Sequence, residues 1–435
     1  MKKLPLIIAG LTALLISSCS NSSSTSGDKF KLTYTTSITE TPIEFTTEFK
    51  YNLKDFDKSA EKFNKSIALL SFANCINAAE KSKVNEFYSS IKFENVVCSE
   101  DYDKEEDKDS IKHAFAHYDA GSYHLIAVTT NGLGYKLPWE NNFVLGAEGD
   151  AKGFVIGAEK VMSGLSNYLS AYQDKKIKLW ITGYSRSAAI SNIVACRLID
   201  ENVIASSNMF AYTFEAPQAI DASNEKQYKS IFNVINSGDV VPHLAPSQYG
   251  LKRSGNDVDI YSRNIDKWLK KIDNRFRINP YYESEDYANE AELNEKLMEL
   301  MTATITASGF HDMSTRENYY TYYQDNISYL IGYFMSLKSE TITDITNTIS
   351  SMSMLELAVL LADDGVYKFL TPILDRHGEI YDATKLREST NLLVKYATNN
   401  YNLLAFLISG NNKDNLMRNV QFHYPEIIIV SLNNY

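Results

Sequence analysis

No apolar stretch of this chain approaches the roughly 20 residues that a helix needs to cross a bilayer. The longest near its start, Leu4 to Ile16, is too short, which excludes a transmembrane helix there. Cysteine is scarce, with four in 435 residues, so the chain is no disulfide-stapled miniprotein. Basic residues are in deficit: 43 Lys and Arg face 54 Asp and Glu, a net charge of −11. That balance leaves nucleic acid without an electrostatic partner, and gives the chain no reason of its own to lie on anionic lipid. Internal repeats are absent, and the one low-complexity stretch is Ser20 to Gly27. What remains is a long chain with 44% hydrophobic residues, enough to bury a substantial core in one elaborated domain.

The first residues have the form of an export signal. Met1-Lys2-Lys3 is a basic start, Leu4 to Ile16 an apolar run, and Ile16-Ser17-Ser18-Cys19 resembles a bacterial lipobox. The resemblance implies cleavage before Cys19 and lipid attachment to it, giving an extracytoplasmic protein anchored in the bacterial cell envelope. Several acyl chains are required for a stable anchor, since one binds only marginally. Residues 1–18 are therefore expected to be a signal peptide, 19–29 a flexible tether, and 30–435 the folded domain. Of the remaining cysteines, Cys75 and Cys98 are open to a disulfide in an exported protein, whereas Cys196 lies among Ile193, Val194 and Leu198 as a small hydrophobe. The charged run Glu100 to Lys112 reads as a solvated loop or helix face.

The segment Lys178-Leu179-Trp180-Ile181-Thr182-Gly183-Tyr184-Ser185-Arg186-Ser187-Ala188-Ala189 leads an apolar strand into a serine and then an apolar helix. This is the pattern of a nucleophile elbow. The tight turn needs small residues two before and two after the serine, and Gly183 and Ser187 stand there. The helix N-terminus beneath Ser185 favours a developing negative charge. A serine in place of the usual second glycine is expected to crowd the strand behind it and widen the elbow.

Residues 30 to 52 alternate apolar and polar residues around Glu40-Thr41-Pro42, predicting a hairpin. Helical spacing runs from Ser59 to Ile91. Buried strands are expected at His124–Thr130, Ile177–Thr182, Met209–Phe214 and Ile231–Ile235, with helices at Gly153–Tyr172 and Ala188–Asp200. Such alternation predicts an α/β fold with a mostly parallel sheet, helices on both faces, and sites at the carboxyl ends of the strands. Residues 263–420 read as a largely helical insertion or extension, with helices at Glu290–Ile305, Thr315–Leu337, Ile342–Leu361, Leu386–Asn399 and Tyr401–Ile408.

Together, Leu125-Ile126-Ala127-Val128, Gly134-Tyr135, Trp139, Asn142-Phe143, Gly153-Phe154 and the elbow resemble bacterial members of the class 3 lipase family of α/β-hydrolases. Thr213-Phe214-Glu215-Ala216-Pro217 and Asn236-Ser237-Gly238-Asp239-Val240-Val241-Pro242-His243-Leu244 continue the resemblance. It covers roughly residues 55 to 255, and extends more weakly to Arg316, Tyr319, Tyr320 and Gln324 and to His423-Tyr424-Pro425-Glu426. The family implies hydrolysis of an ester or lipid through an acyl-enzyme, with no metal and no cofactor. Residue by residue, Ser185 matches the nucleophile and Asp239 the acid that orients the histidine.

Seven histidines compete for the role of base. His113, His117 and His124 are accounted for by exposed helix or strand-edge positions, His243 shares a loop with Asp239, and His377 lies in a surface turn. His423, on the last loop of the fold, is the preferred base, and His311 the alternative. The oxyanion hole is expected from the backbone N–H of Arg186 and a second donor at Gly132 or Leu133. Asn131 stands where relatives often carry arginine, which removes side-chain support. Ser187, Asn131 and Leu133 also suggest an alternative of another class, a catalytically weak or inactive surface lipoprotein that binds lipid, glycan or protein.

Overall fold

The computed structural model describes residues 27–35, 43–224, 226–262, 264–272, 311–353, 359–399 and 421–435, with Asn274, Met298, Thr302 and Glu356. The expected signal peptide, Cys19, the expected helix at residues 401–408 and all but Met298 and Thr302 of the one at 290–305 lie outside the described residues.

Eleven strands are described, in chain order β1 (Asp28–Thr35), β2 (Glu44–Tyr51), β3 (Glu94–Cys98), β4 (His113–Asp119), β5 (Tyr123–Thr130), β6 (Lys176–Tyr184), β7 (Met209–Phe214), β8 (Ile220–Asp221), β9 (Ile231–Ile235), β10 (Leu251–Lys252) and β11 (Asn256–Asp259). β1 and β2 form the expected antiparallel hairpin, which begins at Asp28, inside the expected tether. Seven strands build the central sheet in the order β11-β9-β7-β6-β5-β4-β3. From β5 through β6, β7 and β9 to β11 the pairing is parallel, and β3 and β4 add an antiparallel edge.

The side-chain alternation of β6 divides the core. Trp180 and Tyr184 face one side of the sheet with Phe210, Tyr212 and Phe214, where α1 (Lys65–Asn77) and the C-terminal helix pack. Leu179 and Ile181 face the other with Ile126, Val128 and Ala211, against α3 (Lys152–Leu169) and α4 (Arg186–Asp200). A strand buried on both faces can afford no exposed polar row, which is why β5 and β6 read as continuous apolar runs. Trp180, fully buried, satisfies its indole N–H on Ser71 Oγ at 2.8 Å. The arrangement is that of an α/β-hydrolase-like fold.

Two expected helices are broken. Ser59–Ile91 contains α1 and α2 (Lys81–Ser90), separated where the backbone turns extended at Glu80. Ile342–Leu361 is helical as Ser339–Ser351 and then interrupted, and a further helix, Gly365–Arg376, was not apparent in the sequence. The C-terminal region is helical as expected, with α5 (Ile265–Ile272), α6 (Gln324–Ser336), α7 (Ser339–Ser351), α8 (Gly365–Arg376), α9 (Ala383–Asn399) and α10 (Pro425–Asn434). Leu330, Leu337, Ile342, Leu370, Leu374 and Leu386 give it a small core of its own. Cys75, Cys98 and Cys196 are all free thiols, so the Cys75–Cys98 bond open from the sequence is not made here.

Arg316 and Gln324, weakly matched in the sequence, tie this region to the sheet. The Arg316 guanidinium donates to the carbonyls of Leu145, Gly146, Glu148 and Gly149, while Gln324 Oε1 accepts from the N–H groups of Leu145 and Gly146. One loop thus has both its donors and its acceptors held by the helical region. Gly332 of α6 lies so close to Glu140 that an added Cβ would meet its side chain at 2.9 Å.

Candidate active site

β6 delivers Ser185 directly into α4 with φ 58° and ψ −129°, a backbone conformation that L residues rarely adopt. Such strain persists only where the surroundings over-determine it. Here they do. An added Cβ at Gly183 would stand 2.3 Å from the Ser187 carbonyl oxygen, and one at Gly132 only 1.8 Å from the Tyr184 carbonyl oxygen. The end of β5 and the elbow therefore touch backbone to backbone, and glycine is the residue that permits it.

Ser187, expected to press the strand away, instead joins it. Its Oγ accepts the Tyr184 N–H at 2.9 Å, and the carbonyls of Thr130 and Tyr184 lie 3.0 and 2.9 Å away as acceptors for its proton. The hydroxyl that replaces a glycine hydrogen is satisfied as a buried polar group must be, and it links the elbow to the end of β5.

Ser185 Oγ donates to His423 Nε2 at 2.8 Å, and His423 Nδ1–H donates to Asp239 Oδ2 at 2.5 Å. Each member comes from a different element. Asp239 is fully buried in the turn that follows β9, where its Oδ1 also accepts the Val241 N–H at 3.0 Å. His423 lies just before α10. Its ring stacks on Tyr184 at 5.1 Å, and its carbonyl accepts the Tyr184 hydroxyl, so the residue beside the serine also fixes the imidazole.

Behind Asp239 stands Glu215, fully buried at φ 50°, with both carboxyl oxygens 3.0 Å from the Asn236 N–H. Burial first, and then the neighbouring Asp239 carboxylate, push its carboxyl well above the usual range. Both causes favour the protonated form of Glu215.

The other histidines lie elsewhere. His311 is exposed, with its ring stacked on Tyr322 at 3.5 Å, and makes no contact with Ser185 or Asp239 among the described residues. His113, His117 and His124 are buried rather than exposed or at an edge, because β4, on which the first two lie, is an interior strand covered by β3. His117 Nε2 and His124 Nδ1 are 2.9 Å apart, and His124 Nε2 reaches Asp174 at 2.9 Å. His377 pairs with Asp344 at 3.0 Å within the helical region.

The expected second oxyanion donor needs correction at Leu133. Its N–H donates to Asn131 Oδ1 at 2.8 Å, and Asn131 Nδ2 returns a bond to the Leu133 carbonyl at 2.8 Å. Asn131 thus captures the donor rather than merely failing to support it. Among the described residues the N–H groups of Arg186 and Gly132 have no acceptor.

In front of Ser185 a cavity of about 670 Å³ opens, lined by Leu133, Trp139, Phe143 and Leu244 and by Ile327, Ile331 and Met335 of α6. These last three recur every four residues and share one helix face. Among the described residues no group of three or more His, Cys, Asp or Glu is placed to hold a metal ion.

Three contributors were not apparent in the sequence: Glu215, the Tyr135 hydroxyl beside Ser185, and the Arg186 side chain beneath the Tyr135 ring. A glutamate in Phe-Glu-Ala-Pro carries no sign that it will be buried against a second carboxyl.

The family model for class 3 lipases matches residues 122–249. A lipase of Caenorhabditis elegans is 30% identical over 95 residues, which make up 21% of this chain and 27% of that protein. The match thus spans about a quarter of that relative's length. A fungal lipase solved with an inhibitor is 16% identical, with a TM-score of 0.36 over 46% of this chain and 80% of its own. The lipase of Rhizomucor miehei is also 16% identical, with a TM-score of 0.34 over 49% of this chain and 69% of its own. Residues 122–249 are a class 3 lipase-like segment, which supplies Ser185 and Asp239, while His423 reaches them from beyond it.

Proposed function

We propose that this chain is a serine hydrolase that cleaves a carboxylic ester through an acyl-enzyme. The observation that carries the reading is the hydrogen-bonded row Ser185, His423, Asp239 at a strained elbow that opens into an apolar cavity.

Ser185 Oγ attacks the ester carbonyl as its proton passes to His423 Nε2, while Asp239 accepts the Nδ1–H and stabilises the imidazolium. The carbonyl oxygen becomes an oxyanion facing the Arg186 N–H. Collapse breaks the ester C–O bond, and His423 returns its proton to the departing alcohol. Water then repeats the sequence on the acyl-enzyme, releasing the acid and restoring Ser185. The apolar walls favour an acyl chain over a charged group.

Steady-state hydrolysis of p-nitrophenyl butyrate and longer esters tests the reading. Ser185→Ala is expected to lower turnover by about 10⁴-fold or more without changing the fold. An equal rate in the variant would refute it.

The lipobox-like Ile16-Ser17-Ser18-Cys19 supports a second element of the proposal, anchoring by lipid at Cys19 on the extracytoplasmic face of a membrane. Labelled fatty acid is expected to enter the wild-type protein and not Cys19→Ser; a wild-type protein that takes up no label contradicts the anchor.

A further inference from the structure

With the Leu133 N–H spent on Asn131, the backbone donors left to the oxyanion site among the described residues are the N–H groups of Arg186 and Gly132. One side chain also bears on the cavity in front of Ser185. Tyr135 lines the same cavity, with its hydroxyl beside Ser185 Oγ. Asn142 Nδ2 donates to that hydroxyl oxygen at 3.2 Å, which uses a lone pair and leaves the phenolic proton free for another acceptor. The ring is held from two sides, stacked on Trp139 at 5.5 Å and 27°, and placed with the Arg186 guanidinium 5.8 Å from its centroid.

Resting on the ester-hydrolase reading above, we infer that the Tyr135 hydroxyl is an oxyanion donor of this site, acting with the Arg186 N–H. Asn142 and the Arg186 side chain are its positioning residues.

The arrangement also accounts for an otherwise costly feature. Nε and Nη2 of Arg186 are buried with no hydrogen-bond partner. A buried cation without partners is expensive, but against an aromatic face it gains cation–π attraction. Burial pushes the Tyr135 phenol up, so it keeps its proton at neutral pH, while the Arg186 charge pulls in the opposite direction and sharpens the hydroxyl as a donor. No proton leaves Tyr135 during turnover. Its hydrogen bond strengthens as the carbonyl oxygen gains charge, so it favours the transition state over bound substrate.

The test compares wild type with Tyr135→Phe and Asn142→Ala on p-nitrophenyl butyrate, with butylboronic acid as a tetrahedral oxyanion mimic. Tyr135→Phe is expected to lower kcat by about 100-fold, the effect of one lost donor, with KM within about twofold. Boronate inhibition should weaken in parallel, a change that mere loosening of the loop would not produce. Asn142→Ala, which frees the hydroxyl to rotate, should fall between the two. It also decides the matter should Tyr135→Phe fail to fold: an Asn142→Ala enzyme with unchanged kcat and boronate affinity would overturn the inference. So would an active, folded Tyr135→Phe enzyme within about threefold of wild type in kcat and boronate affinity. That outcome would mean the phenolic proton is spent on Asn142. A wild-type protein that neither hydrolyses esters nor binds boronate would instead refute the hydrolase reading, and Tyr135 as a donor with it.

Discussion

His423→Ala is expected to lower kcat/KM for a short ester by about 10⁴-fold, while His311→Ala leaves it within about twofold. The difference follows from reach. The His423 ring bridges Ser185 Oγ and Asp239 Oδ2, whereas the His311 ring lies exposed on Tyr322. Without the imidazole nothing takes the serine proton, and Asp239 is left a buried carboxylate facing a void. Steady-state kinetics, with circular dichroism to confirm folding, measures both variants. A large loss in His311→Ala with little in His423→Ala would place the base elsewhere and dismantle the proposed row.

Gly132→Ala is expected to be nearly as damaging, by a steric route. The added methyl would lie 1.8 Å from the Tyr184 carbonyl oxygen and 2.9 Å from Ser187 Oγ. Both neighbours belong to the elbow, and the first is backbone, so neither can swing aside. The end of β5 must separate from the turn that carries Ser185. Overpacking of this kind costs about 1–3 kcal/mol, and a shift of about 1 Å at the reacting atoms costs about 100-fold in rate. A fall in melting temperature together with at least that loss of kcat is the expected pair of results. Gly121→Ala provides the comparison, since no atom lies within 4 Å of the methyl it would add, although its φ of 82° carries a conformational cost of its own. A Gly132→Ala protein with wild-type stability and rate would show that the elbow has room the structure does not give it.

How much of this could be read from the sequence depended on what each feature rests upon. β5, β6, β7 and β9 are buried on both faces, so their apolar runs announce them, and the small residues around Ser185 are demanded by the turn itself. β3 and β11 escaped notice because edge position relaxes that demand. β11 is Asn256-Asp257-Val258-Asp259, recognisable as a strand only through its pairing with β9. β4 carries His113 and His117, whose burial is supplied by β3 and by Tyr172 stacked on His117 at 4.3 Å. Neither contact is encoded locally. The same holds at the site. Ser185 follows from turn chemistry, Asp239 from the family resemblance and His423 from its place on the last loop, but the capture of the Leu133 N–H by Asn131, the burial of Glu215 against Asp239 and the Tyr135 hydroxyl beside Ser185 each depend on side-chain placement that local sequence does not carry. Ser187 shows the limit most plainly. Its volume suggested crowding, whereas its hydroxyl makes three short contacts that a volume argument does not contain.

The most direct measurement of the central claim is covalent. A fluorophosphonate carrying an alkyl chain places a phosphorus in the position of the ester carbonyl, and attack by Ser185 expels fluoride and leaves a stable phosphonyl-serine. Tryptic mass spectrometry of the labelled wild-type protein is expected to find the adduct on Ser185 alone, absent in Ser185→Ala and strongly slowed in His423→Ala. Absence of any adduct at Ser185 in a folded wild-type protein, or equal labelling when His423 is removed, would contradict the account.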